Sequence, residues 1–220
     1  MALIRSVFQD ELDGVSQSLV DLTSMVSQSI AKASAAILNS DLKLAEEVIA
    51  ADTQIDTFQH DLDSRIIDII ARQQPVASDL RALVTALRMS ADLERMGDMS
   101  HHIAKIARLR HPASAVPAEL VDIFKQLGEA TELIANKTGK VIATRDTEMA
   151  LQVEKDDDVI DTLHGQLIGA LLDDKWSHGV TAAIDMTLLG RYYERFADHA
   201  VSVSRRVYFL VTGSFATEKN

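Results

Sequence analysis

Eight acidic residues stand in four pairs along this chain, and the two residues of each pair are four positions apart. The pairs occupy matching places in the two halves of the sequence: Asp52/Asp56, Glu94/Asp98, Asp157/Asp161 and Glu194/Asp198. Residues four apart on a helix lie on one face, one turn above the other. Two like charges at that spacing destabilise an isolated helix by roughly 0.2–0.5 kcal/mol, so a compensating partner is expected.

The pairs are also predicted to lie at one height within each half. Asp56 and Glu94 are equally far from Pro75, as are Asp52 and Asp98, so the four stand level if the two helices form an antiparallel hairpin. The same relation holds in the second half about the midpoint between residues 177 and 178. The relation holds although the connection between the two helices is shorter in the second half than in the first. Four carboxylates are therefore expected to gather in each half.

An oxygen-only cluster of this kind suits hard cations. Buried unpaired carboxylates cost on the order of several kcal/mol and raise one another's pKa. Mg²⁺, Mn²⁺, iron, or Zn²⁺ with water completing its shell would neutralise them, and we expect the eight acids to bind such metal cations. The alternative is a purely structural helical scaffold with solvated acids, paired across helix turns with Arg88, Arg95, Lys105 or Arg195.

Histidines near the acids suggest a second type of ligand, but their positions argue against it. His60 and His102 fall outside the predicted carboxylate layer. These two, together with His101 and His164, lack counterparts in the other half, and all four are interpreted as packing or surface residues. His199 is interpreted as structural, because consecutive helix residues point about 100° apart and its neighbour carries the acid.

The elements that must position these acids are helices, because apolar residues recur every three or four positions almost everywhere. Only 9 Gly and 3 Pro interrupt the chain, which favours few, long elements. Six helices are predicted, with cap signals at "NSD" and "TRD", and the residues after Gly213 are expected to fray. The predicted helices cover about residues 5–38, 41–72, 78–110, 118–144, from the cap at 144–146 to 172, and 180–211. The buried side of the fourth helix is expected to carry Leu120, Ile123, Leu127, Leu133, Ile134 and Val141.

The two halves are copies of one another. Residues 39–58, "NSDLKLAEEVIAADTQIDTF", align with residues 144–163, "TRDTEMALQVEKDDDVIDTL". The fold is therefore predicted to be all-α, with two tandem, pseudo-symmetric three-helix bundles over residues 1–112 and 113–220. The linker between them is predicted at 111–117, "HPASAVP", which holds two of the three prolines.

Composition excludes several classes of function. The net charge of −11 and the pI near 5.0 argue against nucleic-acid binding. The absence of Cys excludes disulfides and thiolate metal sites. No signal peptide and no segment able to span a bilayer are predicted, so a cytoplasmic protein without direct membrane insertion is expected.

Two segments carry a resemblance to a known family. "RMSADLERMGDMSHHIAKI" (88–106) and "LGRYYERFADHAVSVSRRV" (189–207), preceded by "DTQID" and "DDVID", resemble the PhoU proteins of bacteria. The segments "DDKWSHG" and "LLGRYYERFADHA" look most like actinobacterial members. The resemblance implies multinuclear clusters of iron, zinc, manganese or magnesium at the E(D)xxxD motifs. Because Tyr192 replaces Asp92 in the second motif, the two sites are expected to differ in charge and metal count.

The resemblance also implies partners. PhoU proteins repress the phosphate regulon by linking the phosphate ABC transporter, through its ATPase PstB, to the sensor histidine kinase PhoR, and many are dimers. A homodimeric regulator without enzymatic activity is therefore expected. Whether phosphate itself is bound stays open.

An enzyme is the main rival within helical bundles. Di-metal carboxylate enzymes use Glu-x-x-His pairs, and no Glu here is followed three residues later by His. No catalytic triad, P-loop or Gly-rich phosphate cradle is present either. Trp176, at the tip of the second hairpin, either contacts a partner or covers the end of the bundle.

Overall fold

The computed structural model describes the backbone of residues 2–214 and the side chains of residues 7–214. Within these residues the chain forms six α-helices and one 3-10 turn at Ala118–Leu120, with no β-strand. The helices are α1 (Ala2–Asn39), α2 (Leu42–Gln73), α3 (Ala77–Arg110), α4 (Val121–Thr144), α5 (Thr147–Leu171) and α6 (Gly179–Thr212). The all-α prediction is confirmed, and the predicted helix ends lie within a few residues of those observed.

Equivalent aspartates begin the equivalent helices α2 and α5. The carboxylate of Asp41 accepts from the backbone N–H of Leu44 at 3.0 Å. The carboxylate of Asp146 accepts from Glu148 at 2.9 Å and Met149 at 3.0 Å. Each side chain satisfies amides that have no partner within the first helical turn. Both cap signals are thus used, with the aspartate as the capping residue.

Four helices form the centre of the molecule, and two cover it. α1 packs against α4, and α3 packs against α6, so the two halves meet along these two pairs. α2 covers α1 and α3, whereas α5 covers α4 and α6. One continuous apolar core joins both halves. The boundary at residues 112 and 113 falls in the loop between α3 and the 3-10 turn, and the division into two domains stays a prediction.

The interface between the halves repeats itself through an internal two-fold relation. Where α1 crosses α4, a Cβ atom placed on Gly128 would lie 2.9 Å from the Cβ of Ser34, and one on Gly139 would lie 3.3 Å from Thr23 Cγ2. Ser34 and Gly139 are 105 positions apart, and so are Thr23 and Gly128. The two contacts are therefore copies of each other. Glycine is needed at these positions because the two helices approach closely.

Three expectations from the sequence have three different outcomes in the structure. Leu133 is 56% exposed, contrary to the prediction that it is buried, because Thr131 and Ile134 occupy the inward positions of α4. The fraying predicted after Gly213 falls mainly on residues 215–220, which lie outside the described residues. Trp176 packs partly against the core, and its indole N–H donates to the carbonyl of Gly179 at 3.1 Å, which favours covering the bundle end. A partner contact by Trp176 stays a prediction.

None of the helices in the described part of the chain is both long enough and apolar enough to cross a membrane.

Candidate metal centres

The first cluster consists of Asp52 and Asp56 on α2 with Glu94 and Asp98 on α3. Burial raises the pKa of Asp56, and the charges of Asp52 and Asp98 raise it further. Burial likewise raises the pKa of Glu94; Asp98 adds to the effect and the adjacent Arg95 opposes it. Charges act on one another in this way only across short distances. These four acids therefore lie near enough for their charges to interact, on neighbouring helices.

The second cluster consists of Asp157 and Asp161 on α5 with Glu194 and Asp198 on α6. Burial raises the pKa of Asp157 to about 7, helped by the charges of Asp161, Asp198, Asp158 and Glu194. One oxygen of Asp157, Oδ1, is buried and accepts no hydrogen bond. A buried oxygen without a donor is costly. This oxygen is the strongest local indication that the cluster gains from a cation.

Two arginines partly neutralise the clusters. Arg95 donates to Asp98 at 2.9 Å and lies 3.5 Å from Glu94, while Arg191 donates to Glu194. Arg95 was expected from the sequence as a partner on the same helix, whereas Arg191 was not. Both arginines are about half exposed, and exposed ion pairs contribute only about 0–1 kcal/mol. They reduce the repulsion without filling either cluster.

His101 packs against the first cluster. Its Nδ1 contacts a carboxylate oxygen of Asp52, and the side chains are only 23% and 14% exposed. This contact with Asp52 is compatible with the interpretation of His101 as a packing residue, and no described contact makes it a metal ligand. The equivalent position in the second half is Val201, so the surroundings of the two clusters differ at this position.

The other histidines near the clusters do not join them. His102 stacks on Tyr192 with ring centroids 5.1 Å apart, and burial lowers its pKa. His60 is exposed and His164 is half-buried. His199 lies 3.0 Å from Asp92 across the α3–α6 interface, in the structural role expected of it.

Asp92 belongs to that interface and not to the first cluster. Ser202 and Arg206 of α6 each donate to its Oδ2 at 3.0 Å, and His199 contacts its Oδ1. Burial raises the pKa of Asp92, but these three partners outweigh burial and the net pKa is lowered. Asp92 therefore has its own partners on α6, and the expected difference in charge and metal count between the two sites stays a prediction.

The donor chemistry suits a cation, although no cage is preassembled. Within residues 7–214, no three His, Asp or Glu side chains are gathered closely enough to hold one metal ion. Burial and neighbouring charges raise the pKa of Asp56 and Asp157, and one buried oxygen lacks a partner. A cation would relieve both conditions. The eight acids fit hard metal ions by chemistry, while metal ligation itself stays a prediction.

Comparison with known proteins finds PhoU proteins as relatives of this chain. The PhoU domain matches residues 19–107 and 124–207, which are the two halves. The chain is 42% identical over 212 residues to "Phosphate-specific transport system accessory protein PhoU homolog 2" of Mycobacterium tuberculosis, covering 96% of this chain and 100% of the relative. It is 30% identical to the PhoU homolog of Rhizobium meliloti, covering 97% of this chain and 90% of that one.

Solved structures agree with the sequence comparison. PhoU from Pseudomonas aeruginosa superposes with a TM-score of 0.83 at 25% identity, covering 94% of this chain and 100% of that one. The phosphate transport system regulatory protein PhoU from Streptococcus pneumoniae gives 0.84 at 26% identity, covering 96% and 99%. The resemblance noted in the motifs is confirmed, including its actinobacterial character. The repeated domain and the full-length relatives together establish that this chain belongs to the PhoU family.

Proposed function

We propose that this protein is a non-enzymatic, cytoplasmic adaptor that restrains phosphate uptake and represses the phosphate regulon. It does so by linking the ATPase of the phosphate transporter, PstB, to the sensor histidine kinase PhoR. The supporting observation is the 42% identity, over nearly the whole length of both chains, to a protein named as an accessory of phosphate-specific transport. A homodimer is part of this proposal.

The two clusters are proposed to be the metal-binding part of the adaptor. Iron, zinc, manganese or magnesium would bind Asp52, Asp56, Glu94 and Asp98 in the first half, with the corresponding four acids in the second. The unpartnered, buried Oδ1 of Asp157 carries this proposal. Cations there would neutralise the carboxylates and fasten α2 to α3 and α5 to α6. A cation cluster open to solvent would also attract phosphate or a phosphorylated partner.

A purely structural scaffold is the second candidate, favoured by the pairing of Arg95 with Asp98 and Arg191 with Glu194. Elemental analysis of purified, dialysed protein separates the two candidates. The metal-binding adaptor retains stoichiometric metal, whereas the scaffold retains none. A di-metal enzyme would consume oxygen when loaded with ferrous iron, and we expect no such consumption.

Thermal unfolding tests metal binding directly. Adding Mn²⁺ or Zn²⁺ to chelator-treated protein should raise the melting temperature, because a ligand that binds only the folded state stabilises it. Asp56→Ala and Glu94→Ala should each reduce the increase, whereas Asp61→Ala, an exposed α2 position outside the clusters, should keep it. An unchanged melting temperature with every cation would refute metal binding.

Co-purification tests the regulatory part. Tagged protein is incubated with purified PstB and with the cytoplasmic part of PhoR at high and low phosphate. We expect both partners to be retained, with an amount that depends on phosphate. Retention of neither partner under either condition would contradict the adaptor role, whatever the outcome of the metal titration.

A further inference from the structure

One cavity lies outside both clusters, at the end of the bundle where α1 and α3 begin and α4 and α6 end. Its volume is about 470 Å³, which falls in the range of roughly 300–1,000 Å³ typical of small-molecule sites. Residues from all four central helices line it, and none of them belongs to either cluster.

The floor of the cavity is apolar. It is formed by buried side chains from the four helices: Leu19, Leu83, Met89, Ile142 and Val207. An apolar ligand gains on the order of 25 cal/mol per Å² of surface that leaves water. A floor of this composition accepts a hydrocarbon group and offers no partner to a polar one.

The mouth of the cavity is polar and carries a net positive charge. Arg81 and Arg145 line it and are exposed, and Asp79 is the acid among the lining residues. The guanidinium of Arg81 lies 5.5 Å from the centre of the Phe209 ring, which holds it beside the opening. Arg145 follows the last residue of α4 in a left-handed conformation, with φ 55°. Two guanidiniums beside an apolar floor contrast with the net charge of −11 of the whole chain.

Two lining positions of the cavity carry smaller side chains than their equivalents in the other half. Leu19 of the cavity floor corresponds to Phe124, and Val15 corresponds to Leu120, at the offset of 105 that relates α1 to α4. Phe124 is 0% exposed and Leu120 is 2% exposed. The smaller side chains of Val15 and Leu19 leave more room at the cavity than Leu120 and Phe124 would at the same positions.

We infer that this cavity binds a single-chain amphiphilic anion, with its hydrocarbon chain on the apolar floor and its carboxylate or phosphate ester between Arg81 and Arg145. The inference is independent of metal binding and of the regulatory role proposed above. A carboxylate and a phosphate ester both accept charge-assisted hydrogen bonds from guanidinium.

Calorimetric titration of the full chain tests the inference. The probes are decanoate and decyl phosphate below their micelle concentrations, with decanol, decyltrimethylammonium and inorganic phosphate as comparisons. We expect one anion to bind per chain, several-fold tighter than decanol, with no binding of decyltrimethylammonium or inorganic phosphate. The tighter of the two anions identifies the headgroup. Equal binding of the decyl cation, or no binding of either anion, would overturn the inference.

Three variants locate the site. Ala82→Trp places a large ring into the cavity from a half-buried lining position and should weaken binding more than tenfold. Arg81→Gln and Arg145→Gln should each weaken binding about two- to fivefold, as expected for exposed charge pairs. Arg88→Gln, an exposed α3 position outside the cavity, is the matched control and should bind normally. Binding that Ala82→Trp leaves unchanged would place the anion elsewhere and refute the site.

Discussion

At the level of single residues, three acids of the two clusters are costly to ionise in the folded protein. Burial and neighbouring charges raise the pKa of Asp56, Glu94 and Asp157, so ionising them in the folded protein costs free energy. Arg95 and Arg191 offset this cost only in part, because both are largely solvated. Repulsive carboxylates are a poor way to stabilise a bundle, which is why their repetition points to a ligand.

The free-energy cost of ionising Asp157 in the folded protein depends on pH. Its pKa rises from 3.8 to about 7 on folding, so the protonated form favours the folded state. The stabilisation is complete below the unfolded pKa and is lost as pH rises through about 7. At pH 8, metal-free Asp157→Asn should be more stable than the unchanged protein by about 1–2 kcal/mol after solvent screening, and the difference should vanish near pH 4. Urea unfolding at both pH values, with chelator present, measures it.

The control for this experiment is Asp61→Asn, an exposed acid of α2, which should show no such pH-dependent gain. With added metal, Asp157→Asn should instead be less stable than the unchanged protein, because the variant loses a ligand. An Asp157→Asn protein that is less stable than the unchanged chain at pH 8 without metal would contradict the account of the second cluster.

At the level of helices, close contacts join the two halves. The α1–α4 crossing depends on Gly128 and Gly139 facing Ser34 and Thr23. The α3–α6 crossing depends on Asp92, which accepts from Ser202 and Arg206. The α3–α6 contact joins one cluster-bearing helix of each half, so the interface between the halves bears on both clusters.

Gly128→Ala should destabilise the protein although alanine is the better helix former. Its Cβ would lie 2.9 Å from the Cβ of Ser34, which cannot move without its backbone. Overpacking costs about 1–3 kcal/mol, against a gain of up to about 1 kcal/mol in helix propensity. Gly165→Ala is the control, because nothing lies within 4 Å of its added Cβ, and it should stabilise α5. Urea unfolding that shows both variants to be equally stabilised would exclude a close crossing.

At the level of the whole molecule, the two repeats share one apolar core. α1 and α3 bury their inner faces against α4 and α6, and one apolar core spans both halves. Function proposed for either cluster therefore depends on both halves being present.

Residues 1–112 produced alone should expose the apolar faces that otherwise meet α4 and α6. We expect this half to self-associate, or to bind residues 113–220 when the two are mixed, because large apolar patches do not stay in water. Size-exclusion chromatography with light scattering measures both outcomes. A monomeric, cooperatively folded first half would instead support two independent domains.

The sequence by itself determined the helices and the repeat. These features depend on periodicity, caps and spacing, which are local properties of the chain. Equal distances from Pro75 also predict that Asp56 lies level with Glu94, because an antiparallel hairpin fixes relative height, and metal binding by the eight acids stays a prediction.

Only the tertiary structure decided which side chains meet across helices. It joined His101 to Asp52 and turned Asp92 away from the first cluster towards Arg206. It also left a cavity at the end of the bundle where α1 and α3 begin. Such pairings depend on helix rotation and on the crossing of the two halves, which residue spacing along one helix does not specify.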